Sequence, residues 1–375
     1  MFIGNSYVLF KYKTIQDVRL VYVPNRKIGE YGGETDNWVW PRHTGDYSFM
    51  RAYVGKDGKP AKYSKDNIPY TPKKFLKVNP SGTNEEDFVF ILGYPGKTFR
   101  HRPAQFIAYQ QEFVLPYTSD LYDFQNATME NVGKKDKTTE LKLATRIKRN
   151  ANVMKNYRGK LQGLKGIDLV AQKRQEDAAL AQFINENVDI KAQYGNLMAN
   201  IDQLYKQINS DANRDLWLSQ IYTSTSLLNV SKQLNAFKTA LASQPSSQKE
   251  AFFNNNVARV KQSLSGIYEA YDIDVDRKIF KKMLSDATAF NSIQRVSAVD
   301  KITSKGSSNE AMINDFINDS FGLSKLKDQN YVFSTLLKSS KSINDYNDAI
   351  LEFEKGIAKQ IHQYLPNLDR IRYRM

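Results

Sequence analysis

Residues 32–54, near the start of the chain, concentrate side chains that could do chemistry. They read GGETDNWVWPRHTGDYSFMRAYV and include three carboxylates, an amide, an imidazole and two indoles. The stretch is too polar for a core strand and too aromatic for an ordinary surface loop. His43 and Asp46 stand three residues apart, and an imidazole beside a carboxylate is part of a serine-protease triad. The question is which of these groups a reaction would use.

Composition indicates a folded chain large enough for two domains. Its 375 residues are 41% apolar, 12% aromatic and 25% charged, and single cores usually stop growing at about 250–300 residues. No run of about 18 apolar residues exists, so we expect no membrane span. The opening residues lack the pattern of a signal peptide.

The residue types available argue against metal chemistry. The chain has no Cys and three dispersed His residues, which are His43, His101 and His362. Disulfides, thiol nucleophiles and Cys ligands are therefore excluded, and a His-based zinc site is disfavoured. We expect no metal and no cofactor.

Positive charge is concentrated in one segment. The net charge is +14, and residues 134–174 hold thirteen Lys or Arg residues against three acids. Such a segment could bind phosphates, steer acidic peptides or simply solvate a helix. A nucleic-acid platform would interleave aromatic residues, and Tyr157 stands nearly alone there. A non-catalytic helical protein that binds nucleic acid through this patch is thus the alternative to an enzyme, and we expect no nucleic-acid partner.

The first hundred residues are patterned as β-structure. β-Branched and aromatic residues, bounded by turn residues, predict strands within residues 6–13, 17–23, 47–60 and 87–96.

From about residue 113 the spacing of the apolar residues becomes helical. Two apolar stripes recur every three or four residues and predict core-facing helices: Ile190, Tyr194, Leu197, Ile201, Leu204 and Ile208, and Ile343, Tyr346, Ile350, Phe353, Ile357 and Ile361. Helix starts are predicted at SQPSSQKEAFF, DIDVDRKIFKKML and TSKGSSNEAM.

These patterns predict an α+β multidomain protein, with a β-rich segment followed by a helical one and a boundary near residues 100–115. The β-rich stretch with turns between short strands favours a barrel or a sandwich.

Residues 32–46, GGETDNWVWPRHTGD, resemble the signature of the bacterial serine dipeptidyl-peptidases of the dipeptidyl-peptidase 7 and 11 type. DVRLVYVPNRKIGEYGG and FVFILGYPGKTFRHRPA resemble that family too. The resemblance implies a chymotrypsin-type double β-barrel with a large inserted all-α domain. Residues 1–105 would be a partial trypsin-like barrel domain, and residues 106–375 a helical cap domain, incomplete at its C-terminus. It also implies a serine exopeptidase that releases dipeptides from peptides with a free N-terminus.

The resemblance assigns four site residues. Asp46 matches the triad aspartate, which orients the imidazole and stabilises its cation. Asn37 matches a residue that holds the substrate's α-amino group, and Trp38 would wall that pocket. A second amine-binding Asn falls at Asn152 within RNANVMKNYRGKLQG, where Asn150 and Asn156 are alternative registers.

The family does not use His43 as its base, and no His precedes residue 32. No Ser stands in a Gly-Asp-Ser-Gly or Gly-Asn-Ser-Gly setting. We therefore expect an internal fragment that carries the triad Asp and lacks the catalytic Ser and His, and that is inactive alone. A catalytically dead relative is the competing interpretation. The family further implies a homodimer when full length and a periplasmic location.

Overall fold

The computed structural model describes residues 9–91, 99–304 and 308–374. The chain divides into two compact units, Met1–Thr98 and Phe99–Met375. Among the described residues the first unit holds a small sheet and the second is helical, as the change of sequence pattern predicts.

The sheet of the first unit has three antiparallel strands in the order β1-β2-β3. They are β1 (Asp17–Tyr22), β2 (Phe49–Val54) and β3 (Ile68–Pro69). The strands predicted within residues 17–23 and 47–60 are thereby confirmed.

Two other strand predictions are wrong where the structure describes them. Residues 9–13 and 87–91 form no strand, while residues 6–8 and 92–96 lie outside the described residues. Leu9 and Ile91 are 97% and 99% exposed. β-Propensity is not enough, because a strand also needs a neighbour to satisfy its backbone N–H and C=O groups.

A buried carboxylate ties the sheet together. Arg19 donates two hydrogen bonds to Asp17, at 3.0 and 2.8 Å, and Asn67 donates a third at 2.8 Å. The Arg19 guanidinium also lies 3.8 Å from the centre of the Tyr53 ring. The bonds from Arg19 lower the pKa of Asp17 to about 2. These contacts join β1 to β2 and to the loop before β3.

The helices account for most of the second unit. A short α1 (Arg26–Gly29) belongs to the first unit, and a π-helical turn, Gln110–Val114, joins α2 to α3. The helices of the second unit, within its described residues, are α2 (Ala104–Tyr109), α3 (Leu115–Gly133), α4 (Lys137–Gly166), α5 (Leu169–Glu186), α6 (Val188–Tyr194), α7 (Leu197–Ser224), α8 (Ser226–Ala242), α9 (Lys249–Tyr268), α10 (Ile273–Thr288), α11 (Ser297–Thr303), α12 (Asn309–Leu323), α13 (Gln329–Ser334), α14 (Ser340–Asp345) and α15 (Ala349–Arg374).

The second apolar stripe lies in the core. Ile343, Ile350 and Ile357 are at most 1% exposed. The first stripe is interrupted, because the chain turns at residues 195–196 between α6 and α7, where Gly and Asn disfavour a helix. Tyr194 is consequently 45% exposed, and that part of the core prediction is wrong.

Two of the three predicted helix starts carry side-chain caps. Asp272 accepts from the N–H groups of Asp274 and Val275 at 3.0 Å, and Ser308 accepts from Ala311 at 3.2 Å. The third helix, α9, follows a 3₁₀ turn and has no side-chain cap.

Candidate active site

The signature residues form a series of tight turns between α1 and β2. The Asp36 N–H donates to the Gly32 carbonyl at 3.2 Å, and the Val39 N–H donates to the Asp36 carbonyl at 3.0 Å. Gly32 has a φ of +76°, and a Cβ there would lie 1.8 Å from Oδ2 of Asp36. A side chain at position 32 would therefore break this turn.

Asn37 lies half-buried in these turns, beside a carboxylate. Its Nδ2 donates to Oε2 of Glu34 at 3.3 Å. This contact gives the candidate amine site a negative charge as well as an amide, and both groups can accept hydrogen bonds from an ammonium. Sequence analysis counted Glu34 only as one of the three carboxylates of residues 32–54 and missed its contact with Asn37. The three-residue spacing within a turn was the available signal.

Trp38 follows in a left-handed backbone conformation. Its φ is +63°, which is uncommon for a residue with a side chain, and such residues cluster at ligand sites. The indole is 58% exposed, and that of Trp40 is 88% exposed. The turns thus present two large apolar surfaces to solvent next to Asn37.

Asp46 lies on a well-anchored segment, three residues before β2. The N–H of the preceding Gly45 donates to the Ile28 carbonyl at 3.0 Å. On its other side the Tyr47 ring packs against Tyr22 of β1, with centres 6.1 Å apart. The Asp46 side chain itself is exposed. The backbone is fixed on both sides while the carboxylate faces outward.

The structure does not pair His43 with Asp46. Both side chains are exposed, and no hydrogen bond or ion pair joins them among the described residues. The three-residue spacing is therefore not a catalytic dyad in this structure.

Asn152 lies on the exposed face of α4, in the second unit. Asn150, one of the two alternative registers, is buried and donates to Oε1 of Gln125 at 3.0 Å. Asn156 is half-buried. Of the three amides, that of Asn150 has a structural role, and that of Asn152 reaches the surface.

A buried polar network holds α4 in place. Arg146 donates to the Ser224 carbonyl at 2.7 Å and to Oε1 of Gln125 at 3.3 Å. Burial lowers the pKa of Arg146. Burial also raises the pKa of nearby Asp276 to about 6. Sequence periodicity could not reveal this network, since its hydrogen bonds join residues up to 99 positions apart on three helices.

In the part of the chain that the structure describes, no three His, Asp or Glu side chains are grouped as metal ligands. Within the same residues, no helix is both long and apolar enough to cross a membrane.

Comparison with known proteins agrees with the signature. The profile of the family Peptidase S46 matches residues 1–373. An Asp/Glu-specific dipeptidyl-peptidase of Capnocytophaga gingivalis is 36% identical over 282 residues, covering 75% of this chain and 39% of the relative. Dipeptidyl-peptidase 7 of Porphyromonas gingivalis is 33% identical over 283 residues, covering 75% of this chain and 38% of the relative. This chain therefore belongs to the Peptidase S46 family.

The fold has a counterpart among solved structures. Porphyromonas endodontalis DPP11, crystallised with the dipeptide Arg-Glu, matches with a TM-score of 0.70 at 21% identity, over 95% of this chain and 51% of that chain. At this identity the match establishes the fold alone. The chain spans about two fifths of the length of the curated relatives that it matches.

Proposed function

We propose that this chain is part of a serine exopeptidase that releases dipeptides from the free amino terminus of peptides. The observation that carries the proposal is the turn segment 32–46, which presents Asn37, Trp38 and Asp46 from one short stretch in a member of a peptidase family. Relatives of this chain are named dipeptidyl-peptidases.

In this proposal residues 1–105 belong to a chymotrypsin-type double β-barrel, and residues 106–375 form its helical cap domain. The sheet supports the first part. Leu20, Phe49 and Met50 are 61%, 60% and 64% exposed, although strands with apolar side chains are stabilised by a covering layer. Further strands closing a barrel would supply that layer.

The amino terminus of the substrate binds to side chains that accept hydrogen bonds. An ammonium has three donors and no acceptor, so the Asn37 amide oxygen, the Glu34 carboxylate and the Asn152 amide are suitable partners. Trp38 forms the apolar wall. A site that requires a charged amine at a set distance from the scissile bond selects chain ends over chain interiors.

Catalysis follows the triad scheme. A Ser hydroxyl attacks the scissile carbonyl, a His imidazole takes its proton, and Asp46 accepts the hydrogen bond of the imidazole Nδ1–H. Asp46 fixes the tautomer and stabilises the imidazolium. The Ser and the His come from parts of the family's length that this chain does not span. The homodimer and the periplasmic location implied by the resemblance belong to the same proposal.

The test uses the protein encoded by the whole source reading frame. It should hydrolyse a dipeptidyl-chromophore with a free amine, be blocked by a serine-directed inhibitor, and leave the N-acetylated substrate intact. The 375-residue chain alone should hydrolyse neither substrate, because it lacks the nucleophile and the base. Inhibitor-sensitive cleavage by that chain, or no cleavage by the whole protein, would overturn the proposal.

A further inference from the structure

A row of cations lies along the exposed face of α4 that carries Asn152. Arg149 and Lys155 stand three residues before and after Asn152, one turn away in each direction. Lys142 lies seven residues before Arg149, and Lys160 lies eleven after it. These intervals are close to two and three helical turns, so the three side chains share one side of the helix.

Among the described residues, the cations of this row form no ion pair with a carboxylate, unlike several of their neighbours. Lys137 pairs with Glu140 at 2.8 Å, and Arg158 pairs with Asp123 at 3.0 Å.

No described carboxylate forms an ion pair with Lys142, Arg149, Lys155 or Lys160. Lys142, Arg149 and Lys160 are exposed, and Lys155 is half-buried. Buried Arg146 lies close enough to Arg149 for the two charges to interact.

The length of the row indicates the size of its ligand. From Lys142 to Lys160 the helix rises about 27 Å, at about 1.5 Å per residue. An extended dipeptide spans about 7 Å, whereas eight extended residues span about 27 Å. A ligand that engages the whole row must extend well past a terminal dipeptide.

We propose that the three exposed cations of this row that share one side of the helix, Lys142, Arg149 and Lys160, bind carboxylates of acidic peptide segments that lie beyond the terminal dipeptide. That the ligand is a peptide rests on the proposed function. Its chemistry follows from the row itself, because exposed ammonium and guanidinium groups attract carboxylates and raise the association rate of acidic chains.

Phosphates of a nucleic acid would also be attracted to these cations. A single-strand platform adds aromatic rings on which bases stack. On α4 the aromatic residue is Tyr157, which is half-buried and has the Lys160 ammonium 5.6 Å from its ring centre. The row therefore favours a peptide.

The experiment measures fluorescence anisotropy of C-terminally labelled peptides on the 375-residue chain. The probes are Ala-Ala followed by six Glu, the same peptide with six Gln, its N-acetylated Glu form, and an eight-residue oligothymidylate. The test variant carries Lys142→Gln, Arg149→Gln and Lys160→Gln. A control variant loses the same net charge at exposed positions elsewhere in the second unit: Lys206→Gln, Lys278→Gln and Lys301→Gln.

We expect the Glu peptide to bind more tightly than the Gln peptide, and the test variant to weaken Glu-peptide binding by about tenfold at low salt, as for the loss of three exposed charge pairs. The control variant should weaken binding by less than about twofold. Circular dichroism confirms that both variants stay folded.

Equal losses in the two variants would show general attraction to net charge and overturn the inference, as would equal binding of the Gln peptide. Tighter binding of the oligothymidylate, lost in the test variant, would reassign the row to nucleic acid. Acetylation separates the two proposals. It removes the ammonium that the candidate amine site binds. The difference in affinity between the wild-type chain and the test variant, which comes from the Glu segment, should persist.

Discussion

The Asp276 carboxylate accepts a hydrogen bond from the main-chain N–H of Leu227 at 2.9 Å, and a second from that of Ser226. These are the first residues of α8, whose own N-cap residue makes no side-chain cap bond. A buried acid on α10 thus caps a different helix. Across the junction Arg146 donates to the Ser224 carbonyl at the end of α7. An anion at a helix N-terminus and a cation at a helix C-terminus both match the helix dipoles.

Asp276→Asn should change how stability depends on pH. Burial raises the folded-state pKa of Asp276 from 3.8 to about 6. The stability from this group is therefore fully present below about pH 4 and lost as pH rises through about 6, a loss of about 3 kcal/mol. Urea unfolding at about pH 4 and pH 7 should show wild-type stability falling by about that much relative to the Asn variant. A constant difference between the two proteins would mean that Asp276 does not titrate in this range.

Gly159→Ala should stabilise the second unit by about 0.5–1 kcal/mol, because Gly is a poor helix former. A Cβ at this position of α4 would have no neighbour within 4 Å. Gly356→Ala on α15 is the matched control, since its Cβ would lie 3.1 Å from that of Ala298. The gain should shrink or change sign there. Thermal melts of the two variants check this, and equal gains would contradict the packing difference.

Asp46→Asn, in the protein encoded by the whole source reading frame, should lower kcat by about 10⁴ while leaving KM and folding little changed. The physical reason is the loss of control over the imidazole tautomer. Asp36→Asn in the neighbouring turns is the control and should have a much smaller effect. Steady-state kinetics on a dipeptidyl-chromophore give both values. A loss below about tenfold for Asp46→Asn would mean that another group orients the base.

Asn37→Ala in the same protein should lower kcat/KM for free-amine peptides by about ten- to several-hundredfold, because the bound ammonium loses an acceptor. N-acetylated peptides are poor substrates already and should barely change. Glu34→Gln, which removes the neighbouring charge while keeping its shape, should lower kcat/KM for free-amine peptides in the same direction. Equal losses of kcat/KM for free and acetylated peptides would indicate general damage to the turns and would contradict the assignment of Asn37 to the amine site.

Much of the architecture was readable from local pattern. β-Branched and aromatic residues bounded by turn residues predicted β1 and β2, and the spacing of Ile343, Ile350 and Ile357 predicted a buried helical face. Asp272 and Ser308 predicted helix starts correctly, because a capping side chain bonds a backbone N–H only two or three residues later in the sequence. The strand predictions failed at residues 9–13 and 87–91, because these segments have no neighbouring strand with which to pair.

By itself the sequence determined the two-part β-then-helix layout and the family, since periodicity, caps and a contiguous signature are local properties of the chain. Only the tertiary structure decided which Asn side chain on α4 is buried and which is exposed. Asn150 is buried against Gln125, while Asn152 reaches the surface. It likewise decided that Asp276 caps a helix some fifty residues away. Hydrogen bonds between distant segments depend on how helices pack, and no local spacing records that packing.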